Sequence, residues 1–232
     1  KTKAIGEQEC MIFPAKIKSP DPNRLVLIGG SIRGLLNGIY TLLEKTADMH
    51  WYPPRVYYHR EEAYPAETLL ARSDRLVWNE GEFLWKPVIS DRVVHGTFSK
   101  KFIDWASHNR KNIFLGRRGK EKLLVDYAHS LGIKVLFWNM THRLPEDAPE
   151  IPSSSNKAIQ MSTDMYLKQF KKYNLDGIGW HTASENITLK MDEAYHKKSR
   201  VEWESIYFNS YNKAIREVKK DALLVMLMGW AY

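Results

Sequence analysis

The sequence predicts an α/β protein in two parts. A small α/β domain occupies residues 1–84, and residues 85–232 form the first part of a TIM-type parallel (β/α) barrel, of which about five strands are present. Three observations predict this. From Trp85 onward, short apolar runs alternate with amphipathic stretches of ten to fifteen residues, the rhythm of parallel strands joined by right-handed helical crossovers. Before Trp85 the rhythm is irregular, with short β-like runs around one glycine pair and one helix. Polar residues then gather just past the apolar runs of the second part, where βα loops build a site. A closed (β/α)8 barrel takes about 250 residues, so residues 85–232 hold only a part of one.

In the first part, Cys10-Met-Ile-Phe13 and Leu25-Val-Leu-Ile28 read as strands, separated by the turn chemistry of Ser19-Pro-Asp-Pro-Asn23. Gly29-Gly-Ser-Ile-Arg-Gly34 follows, then an amphipathic helix over about Ile32 to Lys45 with Leu35, Leu36, Ile39, Leu42 and Leu43 on one face. A glycine pair before a helix invites an anion-binding reading. With neither GxGxxG nor GK[ST] spacing, a tight strand-to-helix turn is the better account. Val56-Tyr-Tyr58 and Glu67-Thr-Leu-Leu70 look like further strand pieces.

In the second part, strands are expected over Pro87–Val94, Asn112–Leu115, Lys134–Trp138, Gly177–Trp180 and Ala222–Trp230. Helices are expected over Lys100–Asn109, Gly119–Leu131, Met161–Tyr173 and Trp203–Lys219. A polar loop through Pro145, Pro149, Pro152 and Ser153-Ser-Ser155 separates the third strand from its helix.

Composition narrows the function. The chain has 232 residues, 44% of them apolar, enough for a sizeable core. Its 35 Lys+Arg outnumber 27 Asp+Glu, but the positives are spread along the chain and mixed with acids, so a solvated surface is expected in place of a nucleic-acid partner. Eight Trp and twelve Tyr suit both a core and the apolar faces of sugar rings. A single cysteine, Cys10, excludes an intrachain disulfide framework and any CxxC metal site. No apolar run is long enough for a membrane span, and no signal peptide is present. The chain opens at Lys1 without Met. A secreted or periplasmic location is therefore expected, with the cytoplasm left open.

The stretch Asp176-Gly-Ile-Gly-Trp-His-Thr-Ala-Ser-Glu-Asn186 is where chemistry is expected. A short buried strand there breaks at once into His181, Thr182, Ser184, Glu185 and Asn186, which is how a barrel presents a working carboxylate. The other strand ends carry Asp91, Arg92 and His95; Asn139, Thr141, His142 and Arg143; and Trp230 and Tyr232. From these, Glu185 is the candidate catalytic acid, and Arg92, Asn139, His142, His181 and Trp230 the candidate substrate-binding residues. The histidines lack HxH or HExxH spacing, so no metal is expected, and no cofactor.

Two segments carry a family resemblance. Gly29-Gly-Ser-Ile-Arg-Gly-Leu-Leu-Asn-Gly-Ile-Tyr40 with Trp51-Tyr-Pro53 resembles the small α/β domain that precedes the barrel in the α-glucuronidases of family 67 and the β-hexosaminidases of family 20. The Asp176–Asn186 stretch and Leu224-Val-Met-Leu-Met-Gly-Trp-Ala-Tyr232 look like the fourth and fifth barrel strands of the α-glucuronidases. That resemblance implies a glycoside hydrolase acting on an oligosaccharide or polysaccharide, with Glu185 as general acid and Asn186 in place of the family's glycine. The family's Lys four residues before the acid and its Arg on the fifth strand fall here on His181 and Met228. The Asp that precedes the catalytic Glu in the hexosaminidases falls on Ser184. If the reaction inverts, a second carboxylate about 6.5–9.5 Å from the acid is required. Among the first three strand ends only Asp91 offers one, so the base is expected beyond Tyr232. The alternatives are a non-catalytic carbohydrate-binding protein on the same scaffold, a β-hexosaminidase-like glycosidase, and a doubly wound nucleotide-binding domain resting on Gly29-Gly30 and the open strand count.

Overall fold

A computed structural model of the chain describes residues 4–14, 24–49, 51, 78, 81–96, 98–116, 121–140, 151–152, 154–181 and 193–227. The chain divides into two compact units: Lys1–Phe114 with Asp126–Lys134, and Leu115–Val125 with Val135–Tyr232. The described strands form two sheets. A small antiparallel one has β1 (Cys10–Pro14) between β2 (Leu25–Gly29) and β3 (Phe83–Trp85). The larger runs β4 (Val93–Gly96), β5 (Ile113–Gly116), β6 (Lys134–Met140), β7 (Gly177–His181), β8 (Leu223–Leu227), in that order. The pairs β6–β7 and β7–β8 are parallel.

That order follows the sequence without a reversal, which is the winding of half a barrel wall. A doubly wound nucleotide-binding sheet reverses at a switch point, and these five strands contain none. In β5, Ile113, Phe114 and Leu115 are all buried, and in β6 so are Val135 and Leu136. Consecutive residues point to opposite faces of a strand, so both faces of the sheet are covered at β5 and β6, as in an α/β wall.

In the first unit, α1 (Ile32–Ala47) starts at Ser31, whose hydroxyl accepts from the Gly34 N–H, and stops at Asp48 in the left-handed region. The glycine pair before it makes a tight turn. A Cβ on Gly29 would come within 2.2 Å of the Leu35 nitrogen, and one on Gly30 within 2.2 Å of the Gly6 oxygen. The helix meets its sheet through glycines as well: a Cβ on Gly34 would stand 2.4 Å from the Glu9 oxygen, and one on Gly38 2.8 Å from the Cys10 sulfur. The covered side of α1 is consequently its small and polar side, with Arg33, Gly34, Asn37, Gly38, Tyr40 and Thr41 buried. The leucine stripe foreseen in the sequence exists and faces the other way, with Ile32, Leu35 and Ile39 exposed.

The same unit packs α1 against α2 (Lys100–His108) through Arg33. Its guanidinium donates to the Ser107 hydroxyl at 2.9 Å, the Ser107 carbonyl at 2.8 Å and the Leu131 carbonyl at 3.4 Å. Tyr40 shares the Ser107 hydroxyl. Burial, opposed in part by nearby Tyr40, pulls Arg33 down to about 10, still charged at neutral pH. Gly132, at φ +67°, turns the chain beside it where a Cβ would stand 2.7 Å from that of Arg33.

In the second unit, α4 (Asn156–Tyr173) and α5 (Arg200–Val218) pack together. Tyr166 lies 4.5 Å from Tyr211 between ring centroids, and the Tyr211 hydroxyl meets Ser162. Helix α4 begins at Ser155, inside the stretch expected to be loop, because that hydroxyl caps the Ala158 N–H. Helix α5 opens three residues earlier than expected on a capping box of Ser199 and Glu202. The remaining helix, α3 (Lys122–Ser130), starts later than Gly119.

Candidate functional site

The two parallel pairings put the C-terminal ends of β6, β7 and β8 on one edge of the sheet. Asn139 is in register with Trp180, Met140 with His181, and His181 with Leu227. Neighbouring strands lie about 4.8 Å apart, so the backbones of Asn139 and His181 are close neighbours on this edge, one step out of register. The chain leaves the edge directly into the segments that hold the other candidates. His142, Glu185 and Trp230, with Met228, Ser184, Asn186 and Tyr232, lie outside the described residues.

Arg92 does not stand at a strand end. The strand expected over Pro87–Val94 begins only at Val93, so Asp91 and Arg92 precede β4 and His95 lies within it. Residues 88–90 form a bend, with Val88 and Ile89 exposed, and the apolar run that suggested a strand there has no partner to pair with among the described residues. Trp85, expected to open the barrel part, closes β3 of the small sheet.

The Arg92 side chain is committed. Nε donates to the Arg110 carbonyl at 2.6 Å, Nη1 to the Ile89 carbonyl at 2.5 Å and Nη2 to Gln8 Oε1 at 2.7 Å, and the guanidinium lies 5.7 Å from the Trp85 ring centroid. Burial first, and then the neighbouring Arg110, holds its pKa below the ordinary arginine value. Its backbone N–H is taken by Asn112 Oδ1 at 2.6 Å. These bonds make Arg92 a brace within the first unit, and the expectation that it stands at a strand end is corrected.

Solved structures that resemble part of the chain include an α-galactosidase and a chitinase. An α-galactosidase from Lactobacillus brevis matches with a TM-score of 0.39 and 10% identity, over 59% of this chain and 26% of its own. A chitinase from Bacteroides thetaiotaomicron matches with a TM-score of 0.37 and 12% identity, over 59% of this chain and 45% of its own. The chain thus spans about a quarter of the first and under half of the second. No protein-family model and no curated protein matches the sequence.

The opposite edge of the second unit shows what the first residues of the Asp176–Asn186 stretch do. The Asp176 carboxylate accepts the Val135 N–H at 2.9 Å and the Lys219 ammonium at 2.7 Å. Its own N–H donates to the Val135 carbonyl, and its carbonyl accepts from the Leu223 N–H. One carboxylate therefore ties the start of β6 to the residue that ends α5, while the same residue's backbone meets both neighbouring strands. Gly177, next in the chain, is in register with Leu223, and a Cβ there would fall 1.9 Å from the Leu223 oxygen. The motif is a strand with a structural beginning, and its polar end leads to the candidate acid. The signal for the Asp176–Lys219 pair was legible as a lone acid ahead of one apolar run and a lysine ahead of the next.

Among the described residues no group of three or more His, Cys, Asp or Glu side chains could hold a metal ion. Among the same residues, no helix is long and apolar enough to cross a membrane.

Proposed function

We propose that this chain is part of a glycoside hydrolase in which Glu185 is the general acid. The observation that carries the proposal is the position of β7. It runs parallel between β6 and β8, ends at His181, and is followed four residues later by Glu185 in a cluster with Thr182, Ser184 and Asn186. A carboxyl group just past a parallel strand is where a barrel wall places an acid or base. Asn139 is proposed as a substrate contact: its backbone comes to the same edge on the neighbouring strand, and a carboxamide is a group that hydrogen-bonds sugar hydroxyls. His142, His181 and Trp230 are proposed as further substrate contacts, with the indole as a platform for an apolar sugar face.

In this mechanism protonated Glu185 gives its proton to the glycosidic oxygen as the bond to the anomeric carbon breaks through an oxocarbenium-like state. The α-glucuronidase-like motif supports this role for Glu185. The substrate sugar is a separate matter, because His181 and Met228 replace the two cations that hold a uronate carboxylate in that family. A point contact from histidine does not reproduce a bidentate guanidinium.

The test is Glu185→Gln, which keeps size and most hydrogen bonds but cannot donate an acidic proton. Turnover of oligosaccharides with poor leaving groups should fall by roughly 10²–10⁴-fold. Aryl glycosides with good leaving groups should lose much less, and melting should stay near normal. Wild-type rates on oligosaccharides would place the acid elsewhere. A chain that binds sugars without turning them over would be a binding protein.

A further inference from the structure

Two polar atoms buried on the covered side of α1 have no hydrogen-bond partner among the described residues. They belong to Arg33 and Asn37, which are 4% and 0% exposed and, four residues apart, share one helix face. The Nη groups of Arg33 are held by Ser107 and the Leu131 carbonyl, but its Nε–H is unpartnered. Asn37 donates from Nδ2 to the Gln8 carbonyl at 3.0 Å, and its Oδ1 is unpartnered. That amide has one orientation only, because its NH2 end alone can face a carbonyl. A buried donor and a buried acceptor therefore stand on the same face. Native structures rarely leave such groups unmet, since each gives up its bonds to water on folding.

The other bonds of the two side chains explain why they do not pair with each other. The guanidinium is drawn to α2 and to Leu131, and the amide is drawn to Gln8, ahead of β1. Gln8 is itself fixed, with Oε1 accepting from Arg92 Nη2 at 2.7 Å and Nε2 donating to the Ser90 carbonyl at 3.0 Å. Whatever satisfies both atoms must accept a hydrogen from Nε and give one to Oδ1. A cation is opposed by the guanidinium itself. Chloride accepts but does not donate. A water molecule does both, and buried polar groups of this kind are where internal waters sit.

We propose that one internal water bridges Arg33 Nε to Asn37 Oδ1 inside the first unit. It completes a line of bonds from Ser107 of α2 through Arg33 and Asn37 of α1 to Gln8 and on to Arg92, at the approach to β4. Chloride is the competing occupant. Burial first, and after it the like charges of Arg92 and Arg110, lower the Arg33 pKa, and Arg110 Nε is a further buried donor without a partner among the described residues. A halide would answer that excess of positive charge but would leave Asn37 Oδ1 unmet. The inference rests on the first unit alone and is independent of any glycosidase activity.

The experiment uses the whole wild-type chain, labelled with nitrogen-15 and held in a chloride-free buffer. In NMR spectra the Arg33 Nε–H proton should show a cross-peak at the water frequency, with the rotating-frame sign that marks contact with a long-lived water and not proton exchange. The melting temperature should be the same in chloride and in gluconate at equal ionic strength. A high-resolution crystal structure grown from bromide should show a peak within hydrogen-bonding distance of both atoms, without anomalous scattering. Loss of the cross-peak, or a direct Nε–Oδ1 bond in the crystal, would overturn the proposal. Anomalous scattering at that peak, or melting that rises with chloride, would assign the position to a halide and overturn it as well.

Discussion

Gly177→Ala isolates the structural half of the Asp176–Asn186 stretch. The added methyl would sit 1.9 Å from the Leu223 oxygen, 2.7 Å from its carbonyl carbon and 2.9 Å from its nitrogen. An ordinary carbon-to-oxygen contact between strands is about 3.3–3.6 Å, so β8 would have to move by roughly 1.5 Å against its register with β7. The obstacle is backbone, so no side-chain rotation relieves it, and the Leu223 N–H bond to the Asp176 carbonyl, 2.8 Å, lies at the point of contact. Overpacking of this kind costs about 1–3 kcal/mol, and losing the hydrogen bond adds about 1 kcal/mol. Alanine recovers about 0.4–1 kcal/mol by restricting the unfolded chain. The net expectation is about 1–3.5 kcal/mol of destabilisation. In a chain of this size each kcal/mol moves melting by about 2–4 °C, so the variant should melt about 2–14 °C lower by circular dichroism. Gly81→Ala, where an added Cβ meets nothing within 4 Å, is the matched control and should melt within a degree or so of wild type. If Gly177→Ala melts with the control, the close approach of β7 and β8 is not what selects glycine there.

Two further outcomes follow from the same structure. Asp176→Asn should destabilise by about 1–2 kcal/mol, since an amide cannot accept from both Val135 and the Lys219 ammonium, and Lys219→Met by less, since it leaves the Val135 bond intact; urea titrations of the two would show the reverse order if the ion pair dominates. The buried Cys10 thiol is pushed up from 9.0 to about 11, chiefly by burial. Its contribution to stability is therefore complete below about pH 9 and is lost between about pH 9 and 11, as the unfolded state releases a proton that the folded state keeps. Native protein should resist a thiol reagent at pH 8 and react on unfolding, and rapid reaction of the native form would count against the burial.

Much of the element order was legible because apolar runs bounded by turn residues mark buried strands whatever their partners. The expected runs at Cys10, Leu25, Asn112, Lys134, Gly177 and Ala222 all fall within one or two residues of strand starts. The failures have local causes. Pro87–Val94 combined two separate stretches, because an apolar pair such as Val88-Ile89 does not reveal whether a partner strand is beside it. Arg92 consequently moved from a strand end to the approach of a strand. The stripe on α1 was visible, but periodicity identifies a stripe without saying which side is covered. Gly34 and Gly38 held that information, since they permit backbone contact with Glu9 and Cys10. The starts of α4 and α5 were underread although Ser155 and the Ser199–Glu202 box both carry capping signals. Within the candidate site, Asn139 and His181 depend on strand register, which short sequence patterns capture; Glu185 rests on motif and position.

The Arg33 contacts bear on the order in which the chain can become native. Arg33 is separated by 74 residues from Ser107 and by 98 from Leu131. During synthesis the guanidinium is made long before either acceptor, and α1 must wait for the turn at Gly132 before its buried charge has its full set of hydrogen bonds. Closures over such spans are slow because chain entropy is lost before the contacts repay it. Arg33 is thus joined both to helix α2 and to the chain made after it, and a chain begun at residue 85 would leave the Ser107 hydroxyl and carbonyl without the donor that the native unit gives them.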